Sequence, residues 1–138
     1  MFAKRIAAVV LIAASSLSAV AVAAPTEAHP ANCILAQHRV TQVRPLHVSE
    51  RFGRSTVERL AGAQVFIEAQ PGLTAEWLQL TLQRHLLGMN GSMANCALDG
   101  KDVQVKVVSA GPGFSVQISG KSAAQGQEIL RRAQLLVR

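Results

Sequence analysis

Acidic side chains are scarce in this chain, with eight Asp and Glu among 138 residues against fourteen Lys and Arg. Those carboxylates are dispersed, so no pair stands ready for general acid–base work. Ser55 and Ser92 lack the strand-to-helix context of a nucleophile elbow. "AGPGF" at residues 110–114 reads as a turn in which Gly111 and Gly113 take special backbone angles, not as a phosphate cradle. Cysteine is limited to Cys33 and Cys96, and neither is placed to carry a lipoprotein anchor. Blocks of positive charge are missing too: Arg39, Arg44, Arg51, Arg54 and Arg59 are scattered. With no recognition motif either, nucleic acid is excluded as a partner. No internal repeat occurs, and no long low-complexity tract follows the first thirty residues. Together these absences argue against an enzyme and for a non-catalytic binding protein.

What is present begins at the N-terminus. "MFAKRIAAVVLIAASSLSAVAVAAPTEAHP" opens with Lys4 and Arg5 and then runs uncharged from Ile6 to Pro25. A positive start, an apolar run and the small residues Ala21-Val22-Ala23 make a secretory signal peptide over residues 1–23. The run is about long enough to span a bilayer, but its alanine and serine content and its cleavage site favour removal. Cleavage after Ala23 leaves 115 residues, enough for one domain with a real core. It also lowers the net charge from +6 to +4. The expected location is periplasmic or extracellular, with no membrane span left in the mature chain. Its mild positive charge suits an envelope protein or an anionic polymer as partner.

In an oxidising compartment two cysteines normally pair. A Cys33–Cys96 bond would close a loop worth about 4 kcal/mol by the chain-entropy estimate.

Residues 24–39, opening with "APTEAHPA", read as a flexible mature N-terminus, and residues 40–138 as a single α+β domain. The early part of that domain is hard to read. Pro45 argues for an edge strand or a break, and Gly53 for a turn between two extended pieces. Residues 63–69 make a short strand, and Pro71-Gly72 turns the chain. Thr74 then caps a helix with Glu76 in its first turn, ended by Gly88, Asn90 and Gly91. At helical period Leu78, Leu82, His85 and Met89 share one face, with Glu76, Gln79 and Gln83 opposite. Period-two patterns on either side of "AGPG" predict a β-hairpin from Val103 to Ser119. Ser122 and Gln125 form a capping box for a last helix. Its stripe holds Gly126, Ile129, Leu130, Ala133, Leu136 and Val137; close packing on the sheet would account for Gly126. The expected fold is a small two-layer sandwich. Its strand-helix-strand-strand-helix core lays two helices on one face of a mostly antiparallel sheet.

"HLLGMNGSMANC", residues 85–96, gathers the chain's soft donors. His85, Met89, Met93 and Cys96 are the imidazole, thioether and thiolate ligands that suit copper or another soft metal. That is the alternative function, and it competes with the disulfide for Cys96. A thiol-dependent enzyme is a second alternative and would require a free cysteine beside a base. His29, His38 and His47 receive no role. Finally, Arg51, Phe52 and Arg54 in "ERFGRS" place an aromatic between cations, a candidate partner-binding turn.

Overall fold

The structure, a computed structural model, describes residues 32–88, 93 and 95–137. The expected signal peptide and residues 24–31 of the lead lie outside that range. Four strands form one antiparallel sheet in the order β1-β2-β4-β3, where β1 is Val40–Phe52, β2 Ser55–Glu68, β3 Gln104–Ala110 and β4 Gly113–Ser119. Helices α1 (Ala75–Gly88) and α2 (Ala123–Gln134) pack on it, giving the two-layer α+β arrangement.

Alternation decides the layers. Ala63, Val65 and Ile67 of β2 pair with Ile118, Val116 and Phe114 of β4, so their side chains share one face. That face meets Leu78 and Leu82 of α1 and Ile129, Ala133 and Leu136 at α2, all in one buried cluster. Hydrophobic burial of this kind contributes roughly 1.5–3 kcal/mol for each fully buried aliphatic side chain. Gly126 lies where α2 meets β2: a Cβ there would stand 2.5 Å from the Leu60 carbonyl oxygen. Val137, placed on the same stripe by period, is exposed.

Both helix starts are capped. The Thr74 hydroxyl accepts from the Trp77 N–H at 3.2 Å, and the Ser122 hydroxyl accepts from the Gln125 N–H at 3.2 Å. The reciprocal bond of the second cap is shifted by one residue, since Gln125 accepts from the Lys121 N–H.

Gly53 turns the chain between two extended pieces, as expected. What differs is their extent: instead of one short strand at 63–69, β2 runs fourteen residues from Ser55, and β1 precedes it as a full edge strand. Pro45 is accommodated on that edge, beside a register shift between Leu46 and His47, as edge prolines are. The loop between β1 and β2 is Gly53-Arg54, with Gly53 at φ +61°, the left-handed geometry that twists a tight hairpin correctly. β4 pairs with β2 only from Gly62 onward. Residues 47–60 therefore project as a two-stranded ribbon. Neither face of it is fully covered, and that is why it carries no clean period-two signal.

The lead also ends earlier than residue 40. Residues Ile34–Gln37 form a turn of 3-10 helix, and Cys33 and Leu35 are buried in the core. The packed chain thus begins by Cys33.

Candidate functional site

Cys33 and Cys96 are joined, their Cα atoms 5.2 Å apart across a sequence separation of 63. Cys96 sits in a tight loop: its N–H donates to the Met93 carbonyl at 3.0 Å, and its own carbonyl accepts from the Asp99 N–H at 3.1 Å. Arg132 of α2 holds that loop down. Its guanidinium donates to the carbonyls of Cys96 (3.3 Å) and Asp99 (3.1 Å), and also to the Glu128 carboxylate (2.7 Å). Hydrogen bonds from Arg131 and Arg132 pull the Glu128 carboxyl down to about 2.

This bridge reorders the soft-ligand set. Cys96 is no longer a thiolate donor, and Met89 lies outside the described residues. Met93 is half-buried and packs on the core. His85 is half-buried as well, and its buried Nε2 makes no hydrogen bond. Among the described residues no three His, Cys, Asp or Glu side chains converge on a metal position. Both sulfurs being in the bridge, the molecule in this state offers no thiol nucleophile.

Arg51, Phe52 and Arg54 occupy the tip of the ribbon. All three are exposed, Phe52 to 64%. Register puts Phe52 opposite Ser55 and Glu50 opposite Val57, so Phe52 and the exposed Val57 are diagonal neighbours on one ribbon face. Arg59 anchors the base, paired with Glu50 at 2.6 Å and donating to the Gly120 carbonyl at 3.4 Å.

A further surface was not anticipated from the sequence. On α1, Trp77, Leu80 and Leu87 are 51%, 53% and 86% exposed, while Leu78 and Leu82 are buried. Positions 77, 80, 84 and 87 follow the spacing of one helix face, with Arg84 the only charged member. The helix therefore carries two apolar stripes, one in the core and one in solvent. The signal was present as i, i+3, i+7, i+10 spacing, but the stronger Leu78–Leu82 stripe hid it.

Gln79 was expected on the solvated side. Instead its amide donates to the Val105 carbonyl at 2.9 Å and accepts from the Val107 N–H at 2.6 Å. It pairs with the free edge of β3 as a neighbouring strand would.

Comparisons with protein-family models, with curated proteins and with solved structures find no match for this chain. Among the described residues no helix is long and apolar enough to cross a membrane.

Proposed function

We propose that this is a small exported, non-catalytic binding protein that engages an envelope protein through the outer face of α1. The observation that carries the reading is the exposed Trp77–Leu80–Leu87 stripe on a helix whose other side is already anchored in the core. Tryptophan and arginine are the residues most enriched at interface hot spots, and Trp77 and Arg84 supply both on this face. A rigid helix loses little conformational freedom on docking, which favours binding over an equally apolar loop. The signal-like N-terminus and the paired cysteines support an oxidising compartment outside the cytoplasm. The ribbon tip at Phe52 is a smaller, secondary contact.

A photo-crosslinking residue introduced at Leu80 in cells tests this reading. One discrete higher-mass adduct is expected from Leu80 and from Leu87, and none from exposed Lys101. If neither helix position yields an adduct, the helix face is not an interface. Intact mass of the same material checks export, with a mature chain beginning at Ala24.

A further inference from the structure

The face of the sheet turned away from the helices has its own chemistry. Pairing aligns Arg44, Gln64, Gln117 and Lys106 in one row across all four strands. The next row runs Gln42, Phe66, Ser115 and Val108. Three strand spacings set the two cations of the first row ~14 Å apart at the backbone. No Asp or Glu occupies either row. Neither Arg44 nor Lys106 is paired with a carboxylate among the described residues.

Arg44 is also held in place. Its guanidinium lies over the Phe66 ring, 5.4 Å from the centroid, which limits its rotamers while leaving its N–H fork free for a carboxylate. Gln64 is fixed in turn, donating to the buried Ser115 hydroxyl at 2.7 Å. Beside Phe66 the face leads into a cleft of about 410 Å³, lined also by Thr41, Gln42 and Phe114. The one carboxylate there, Glu68, is paired with Arg39 at 3.1 Å.

From this we infer that the open sheet face is a binding site for an acidic polysaccharide, a chain bearing both hydroxyls and carboxylates. Arg44 and Lys106 take carboxylates, and the glutamine amides between them both donate to and accept from hydroxyls. A like-charged second copy of the face would meet repulsion. An acidic peptide is disfavoured because both routes to strand addition are obstructed: Gln79 occupies the β3 edge, and Pro45 with two register shifts interrupts the β1 edge. What remains is a largely polar face with a cleft beside Phe66, suited to a polymer that needs no backbone ladder.

The test is calorimetric titration of the purified mature protein at low salt. Its probes are polygalacturonate, neutral dextran and polyglutamate. Polygalacturonate binds, dextran does not, and polyglutamate binds more weakly. Arg44→Gln and Lys106→Gln each weaken polygalacturonate binding about tenfold, as loss of a charge-assisted hydrogen bond implies. Both residues are exposed, so the variants fold, which circular dichroism verifies. Leu80→Ser leaves the affinity unchanged, which separates this site from the α1 surface. Equal or tighter binding of polyglutamate would identify an acidic peptide instead and overturn the proposal. So would indifference to the two charge substitutions, or failure of polygalacturonate to bind at all.

Discussion

His38 shows how a residue with no assigned role still bears on behaviour. It follows the 3-10 turn, its Nδ1 is buried without a hydrogen-bond partner, and burial lowers its pKa below the ordinary 6.5. The unfolded chain takes up this proton first as the pH falls, so the neutral imidazole favours the folded state fully above 6.5. That contribution is lost progressively as the pH drops toward the lowered folded-state value. Thermal midpoints measured from about pH 7 down to about pH 5 should therefore fall less steeply in His38→Gln than in the parent. An identical slope would show that the buried imidazole is not linked to folding. Gln79 makes a related point: a side chain assigned to solvent by helical period satisfies two backbone groups of an otherwise open strand edge.

At the scale of elements, the decisive contact is α2 on β2. The helix can approach so closely only because position 126 has no Cβ. Alanine is about 1 kcal/mol better than glycine in a free helix, yet here its methyl group would press on the backbone of Leu60 and Ala61. Gly126→Ala should destabilise the protein by about 1–3 kcal/mol, the usual cost of overpacking, read as a lower denaturation midpoint in urea. A midpoint raised by the substitution would mean that the helix shifts freely, and that the close approach is not required. The projecting ribbon has the opposite character. A two-stranded hairpin is marginal alone; Arg59 pairs across it with Glu50 and reaches out of it to the Gly120 carbonyl just past β4.

For the whole molecule the bridge matters most. Cys33 precedes the first strand and Cys96 lies between α1 and β3, so one bond joins the segment ahead of β1 to the loop that Arg132 fastens to α2. Closing so long a loop contributes about 4 kcal/mol in the chain-entropy estimate, a large part of a small domain's stability. Reduction should lower the unfolding midpoint sharply. Alkylating reagent should label both thiols only after reduction, as intact mass would show. Labelling without reduction would mean that the bridge is not formed in the native protein, and would return Cys96 to the soft-ligand set.

Local pattern was enough to place several elements. The β3–β4 hairpin, the starts of both helices and the apolar stripe of α2 follow from period two, period 3.6 and hydroxyl caps, each set by neighbours within a few residues. The two cysteines already pointed to each other, because only two were available to pair. Elsewhere the outcome depended on partners distant in sequence. Pro45 allowed an edge or a break, and only the pairing of β1 with β2 resolved it as an edge. The ribbon is at most half-buried on either face, with Val48 and Glu50 on one side and Leu60 on the other, so no apolar alternation marked a buried face. The outer stripe of α1 became a surface only once Leu78 and Leu82 had claimed the core. Arg44, Gln64, Lys106 and Gln117 lie on four separate strands, and no spacing rule joins them. Strand register does, because hydrogen bonding between backbones sets side chains from remote residues in one line.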